Sequence, residues 1–223
     1  MASSTKMKVV KWCNDAVDQV NWFKQLDCVP QNVELRGLES YCYDYVYGHM
    51  PRVPPEHGMF IDNLWEFGKE FTRPYLEMDR QRYYDHFQRV ALSYDIEIPA
   101  QVKHVIMNAA LTPVRQCHGD LTFANMIQRN KEMPTLIDPG RCWGLPCREL
   151  DEAKMLQSHF GFEFIQDSGL GKVNGMYGFA ATEVHYALLF THLVRLLPHW
   201  PHGTAVYRWA RGLIKEFAAG RFA

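Results

Sequence analysis

The chain has 223 residues, 47% of them apolar, with six Trp, enough to fill the core of one ordinary domain or of one domain with a small appendage. Its 24 basic and 25 acidic residues leave a formal net charge of −1, and no basic run is concentrated enough for a nucleic-acid or acidic-membrane footprint. The opening Met-Ala-Ser-Ser-Thr-Lys lacks an apolar signal region and no stretch reaches the roughly 18 apolar residues of a membrane span, so a soluble, cytoplasmic, reduced protein is expected.

Lys8-Val9-Val10-Lys11-Trp12 reads as a strand. Asn14 or Asp15 can cap a helix whose apolar positions Val17, Val20, Phe23 and Leu26 recur near a 3.6 period. Residues 33–38 and 41–46 read as two strands joined by a tight turn, and Pro51-Arg52-Val53-Pro54-Pro55 is a break. It divides a small lobe with its connecting segment (residues 1–50) from a helical remainder (51–223). Helical patterns follow at 59–71, 79–94 and 100–110, the second with Tyr83, Phe87, Val90 and Ala91 on one face, and later at 151–160, 175–196 and 203–218. The six cysteines (Cys13, Cys28, Cys42, Cys117, Cys142, Cys147) form no C-x-x-C pair and no zinc spacing, so they are read as small buried hydrophobes.

The chemistry is carried by Cys117-His118-Gly119-Asp120-Leu121-Thr122-Phe123-Ala124-Asn125-Met126-Ile127, followed by Leu136-Ile137-Asp138-Pro139-Gly140. An Asp, an Asn five residues on and a second Asp ending a short apolar run make a phosphoryl-transfer set. Asp120 can orient and deprotonate an attacking hydroxyl. Asn125 and Asp138 can hold Mg²⁺ against nucleotide phosphates, with the hard oxygen ligands that ion takes. Residues 126–127 and 135–137 read as strands around a polar turn, which sets Asp138 at the end of a hairpin. A lone His-Gly-Asp is also an ordinary turn; the residues around it raise it above that.

In detail the pattern resembles the aminoglycoside phosphotransferase and choline kinase branch of the protein-kinase-like fold, which reads His-Gly-Asp where protein kinases read His-Arg-Asp. The stretch from Gly144 to Ala153 resembles that family's Gly-x-Pro-x-x-x-Leu-Asp-x-Ala, whose Asp, matched by Asp151, braces the catalytic loop. The resemblance covers residues 9–200 and is specific in 117–154. It implies an α+β, protein-kinase-like two-lobe fold, with a reduced small β lobe lacking the glycine-rich loop and a mostly α large lobe. It also implies that His118 hydrogen-bonds beneath the catalytic loop and that Lys11 is the strand lysine that contacts nucleotide phosphates. Asp44 and Val46 match the hinge whose backbone bonds the adenine edge. The implied activity is ATP- and Mg²⁺-dependent transfer of the γ-phosphoryl group to a hydroxyl of a small molecule such as a sugar, amino alcohol or nucleoside.

Two departures stand out. No glycine occurs before Gly37, so the glycine-rich loop is missing, and the first helix offers only Asp15 or Asp18 where the family pairs its strand lysine with Glu. They favour an alternative reading, a pseudokinase-like binding module that has lost phosphoryl transfer. A third reading keeps the fold but transfers a nucleotidyl group. An incomplete sheet leaves unpaired backbone that favours strand addition, and a homodimer is expected from it. Pro139, in place of the Phe of protein kinases, stiffens the metal loop and predicts a constitutively formed site. Arg141 or Arg148 could hold an anionic group. The acceptor pocket is expected near Trp65, His159, Phe160, Phe162, Phe164, Tyr177 and His185. His159, His185 and His192 lack the spacing of a metal cluster.

Overall fold

The computed structural model describes residues 7–14, 16–24, 30–48, 77–114, 117–129, 134–140, 145–162 and 181–220. The break at 51–55, the helical pattern at 59–71, the residues of the 175–196 pattern before 181, and Leu26, Cys28, Trp65, Arg141, Cys142, Phe164 and Tyr177 lie outside them.

The fold is α+β. Strand β1 (Lys8–Trp12) is followed by helix α1 (Ala16–Phe23) and strands β2 (Glu34–Gly37) and β3 (Ser40–Asp44), and the strands form an antiparallel sheet in the order β1-β3-β2. Strand alternation turns Val9 and Lys11 inward while Lys8, Val10 and Trp12 face solvent. The central strand β3 is buried along its length up to Asp44, and its Tyr41 and Tyr43 pack against Phe23 of α1. The buried stripe of α1 is Ala16, Val20 and Phe23, at i, i+4 and i+7. Val17, expected on that stripe, is exposed instead, because the helix begins with Ala16 against the sheet.

The second part is mostly helical. Helices α2 (Glu77–Ser93) and α3 (Ala100–Asn108) precede the loops, and α4 (Arg148–His159), α5 (Glu183–Leu196) and α6 (Ala205–Ala218) follow the two-stranded hairpin of β4 (Met126–Ile127) and β5 (Thr135–Leu136). Helix α5 is the hub and packs against α2, α3, α4 and α6. Its apolar length (Leu188, Leu189, Phe190, Leu193, Val194) is buried, and burying each such side chain stabilises by about 1.5–3 kcal/mol. Arg80 of α2 caps the end of α3, its guanidinium donating to the carbonyls of Ile106 (2.7 Å) and Ala109 (2.9 Å). Thr182 and His185 form a capping box at the start of α5. Among the described residues no helix is long and apolar enough to cross a membrane.

The cysteines depart from expectation at one place. Cys42 and Cys147 are buried free thiols and Cys13 is a partly buried one, but Cys117 is disulfide-bonded. Spacing along the chain carries no sign of a pair formed by tertiary proximity.

Candidate active site

The hairpin sets the loop that carries Asp138 beside the loop that carries Asp120. Met126 pairs with Leu136 and Ile127 with Thr135, and the Ile137 N–H donates to the Asn125 carbonyl at 3.0 Å. Asp138 is therefore one residue beyond the partner of Asn125. Its φ is +52°, the left-handed region that few residues other than Gly adopt and that Asp tolerates better than most. One turn later the Gly140 N–H donates to the His118 carbonyl at 2.8 Å. A Cβ on Gly140 would come within 2.9 Å of the Asp120 Cβ and 3.2 Å of the Gly119 backbone, so the two loops touch here because that side chain is absent. Gly140→Ala should push them apart and cost about 1–3 kcal/mol, read from urea denaturation. An unchanged midpoint would mean that the loops yield at this point.

Helix α4 holds the loop of residues 118–125 with one face. The buried Asp151 carboxylate accepts from the backbone N–H groups of His118 and Gly119, both at 2.8 Å. One turn on, Lys154 Nζ contacts Asp120 Oδ1 at 2.7 Å, and one turn further Ser158 Oγ accepts from the Phe123 N–H at 3.0 Å. Positions 151, 154 and 158 are i, i+3 and i+7, so they share one side of a helix. With this face on the loop and another packed against α5, α4 buries every residue from Leu150 to Ser158, Lys154 and Gln157 among them.

Within the loop, His118 is fully buried, and burial depresses its pKa to about 4 against the raising influence of Asp120 and of its bond to Ile137. A neutral ring fits its contacts: Nε2–H donates to the Ile137 carbonyl at 2.9 Å and Nδ1 accepts from the Asp120 N–H at 3.3 Å. His118 thus ties its own loop to the end of β5. Asn125 Nδ2 donates to the carbonyl (2.8 Å) and to Oδ2 (2.9 Å) of Asp120, leaving its own Oδ1 as the atom suited to a cation. Burial alone would raise the Asp120 pKa, but the Lys154 ammonium outweighs it and holds the carboxylate below its ordinary value.

The sheet reaches the same place. Lys11 Nζ of β1 contacts Asp138 Oδ2 at 2.6 Å, a pair spanning 127 positions of sequence. Tyr43, on the neighbouring strand, has its pKa raised by burial and by the Asp138 charge. The segment after β3 passes close to β4: a Cβ on Gly48 would meet Ile127 Cγ2 at 2.6 Å and the Gln128 carbonyl at 2.7 Å. At the end of β3 the Asp44 N–H donates to the Gln31 carbonyl, and just beyond it the Tyr45 N–H donates to the Met7 carbonyl, both at 2.9 Å. The Asp44 carboxylate accepts from Asn32 Nδ2, so its side chain is committed away from a ligand. Val46 lies in the same segment.

A cavity of about 440 Å³ opens beside Asp120, lined by Asn125, Gly140, Lys154, Phe162, His192 and Arg195 among others. That is the size of a small-molecule site. His185 is not a metal ligand: its Nε2 contacts Glu152 at 2.7 Å and its Nδ1 accepts from the Thr182 N–H at 2.9 Å. Buried His192 donates from Nε2 to the Leu150 carbonyl at 3.1 Å. Arg148 is paired with Glu152 at 3.0 Å. Among the described residues no three His, Cys, Asp or Glu side chains gather as a metal cluster. The donor set at Asn125 and Asp138 still suits Mg²⁺, which binds through one or two carboxylates plus phosphate oxygens and water.

The structure thus brings together Lys11, His118, Asp120, Asn125, Asp138 and Asp151. Reasoning from sequence missed Lys154 and Ser158, although the i, i+3, i+7 spacing after Leu150 could have found them. Compared with models of known protein families the chain matches none, and no curated protein matches it either.

Proposed function

We propose that the chain is an ATP- and Mg²⁺-dependent small-molecule kinase of the two-lobe, protein-kinase-like kind, transferring the γ-phosphoryl group to a substrate hydroxyl. The observation that carries this reading is the contact of Lys11 with Asp138 beside Asp120 and Asn125. It joins a strand cation suited to phosphates, a carboxylate and an amide suited to a divalent cation, and a carboxylate suited to a hydroxyl, all beside a cavity of small-molecule size.

In this reading Asn125 and Asp138 hold Mg²⁺, and Lys11 turns from Asp138 to the nucleotide phosphates. The ion, when bound, neutralises phosphate charge and fixes the phosphates for in-line transfer. Asp44 and Val46 offer backbone groups to the adenine edge. Asp120 accepts the hydroxyl proton, while His118 and Asp151 keep the catalytic loop in shape. Because transfer proceeds through a loose transition state, positioning and charge neutralisation matter more than a strong base. A carboxylate held at low pKa by an ammonium is therefore adequate.

The alternative, a binding module, is favoured by the lack of any glycine before Gly37, which leaves no glycine-rich loop to cover phosphates. One experiment separates them. ATP with Mg²⁺ at about 100 times the dissociation constant should add roughly 2.7 kcal/mol, raising the unfolding midpoint by about 5–10 °C. The shift should need Mg²⁺ and should vanish in Asp138→Asn. A melt unmoved by any nucleotide would hand the lead to the binding module.

A further inference from the structure

We infer that Lys154 is a catalytic residue, its ammonium contacting the phosphoryl group during transfer. The inference rests on the kinase reading above.

The catalytic loop itself supplies no cation: between Asp120 and Asn125 stand Leu121, Thr122, Phe123 and Ala124. The only lysine lining the described part of the cavity comes from α4. Its side chain is 9% exposed, yet it reaches Asp120 Oδ1 at 2.7 Å and Gln157 Oε1 at 3.2 Å. Removing an ammonium from water is costly, and a clamp for Asp120 alone does not require one, since Asn125 already fixes the other carboxylate oxygen at 2.9 Å. A charge held at the mouth of the reacting carboxylate, on a helix that also braces the loop backbone, is preorganised for the place where negative charge passes.

The step balances without any further reactant. The hydroxyl oxygen forms a bond to the γ-phosphorus as the bond from that phosphorus to the β,γ-bridging oxygen breaks. The hydroxyl proton passes to the Asp120 carboxylate, and ADP leaves with the electron pair. Lys154 stays protonated throughout, contacting a peripheral oxygen of the moving group while its bond to Asp120 lengthens.

The test is calorimetric titration with MgADP, alone and with aluminium fluoride, which mimics the moving phosphoryl group. The wild type should bind the fluoride complex far more tightly than MgADP. Lys154→Met should lose roughly a hundredfold of that gain while binding MgADP itself about as before, and Lys154→Arg should restore part of it. Retained MgADP binding shows that the variants are folded. If Lys154→Met keeps the full fluoride-dependent gain, or if the wild type binds MgADP with no gain, Lys154 is a structural clamp and the inference fails. If the wild type binds no MgADP, the kinase reading itself fails and the role of Lys154 falls with it.

Discussion

Asp151→Ala should lower the unfolding midpoint by roughly 5–15 °C and remove nucleotide-dependent stabilisation together with it. The carboxylate is wholly buried and accepts the N–H groups of His118 and Gly119, both at 2.8 Å. Truncation orphans two buried donors, each worth about 1–3 kcal/mol when left without an acceptor, and opens a void behind the loop. Bulk water has no ready access, because Asp151 itself is fully buried and so is Cys147, which feels its charge. Asp151→Asn is the sharper variant. It keeps the volume but has one acceptor oxygen, so whichever way the amide turns, one backbone N–H faces an NH₂ group. It should therefore lose much of the same stability without any cavity. Urea denaturation of both variants, with ATP and Mg²⁺ and without, checks this. An Asn variant as stable as wild type would mean that the loop does not depend on this brace.

The sheet and the loops were legible for different reasons. Strand β1, the hairpin and the helices from α2 onward follow from apolar period and turn residues. Most observed ends differ from expectation by a few residues, as at α4, which starts at Arg148 rather than Asp151, but α5 starts at Glu183, eight residues after the expected 175, because Thr182 caps it there. Val17 was misassigned because a period shared by Ala16, Val20 and Phe23 passes equally well through bulkier neighbours, and only the sheet decides which stripe is covered. Asp120, Asn125 and Asp138 were visible because their spacing is fixed by a tight loop and a short hairpin, both local. Lys154 and Ser158 escaped because they act across 34 and 35 positions, on Asp120 and Phe123, and a polar residue in a helix ordinarily faces solvent. The Lys11–Asp138 contact is longer in range still, and no period encodes it. The disulfide at Cys117 belongs with these: it is a tertiary fact that spacing does not carry.

Asp120→Asn should reduce phosphoryl transfer by roughly 10²–10⁴-fold while leaving the ATP- and Mg²⁺-dependent rise in midpoint in place. The position demands two oxygens. Lys154 Nζ approaches Oδ1 at 2.7 Å and Asn125 Nδ2 approaches Oδ2 at 2.9 Å, so the carboxylate stands between two donors with its half-exposed edge toward the cavity. An amide satisfies one of them and turns an NH₂ toward the other. If it keeps the ammonium, Asn125 loses a partner, although its bond to the Asp120 carbonyl at 2.8 Å remains and limits how far it moves. The nucleotide contacts assigned to Lys11, Asp138 and the hinge do not pass through this carboxylate, which is why binding should survive. In the proposed mechanism, what is lost is the acceptor for the hydroxyl proton and the group that aims the attacking oxygen. With no acceptor yet assigned, single-turnover hydrolysis of ATP, in which water takes the place of the substrate hydroxyl, reads the step directly. Hydrolysis by Asp120→Asn at the wild-type rate would remove Asp120 from the chemistry. A wild type that binds nucleotide but never turns it over, in water or with any hydroxyl compound, would leave a nucleotide-responsive binding protein in place of a kinase.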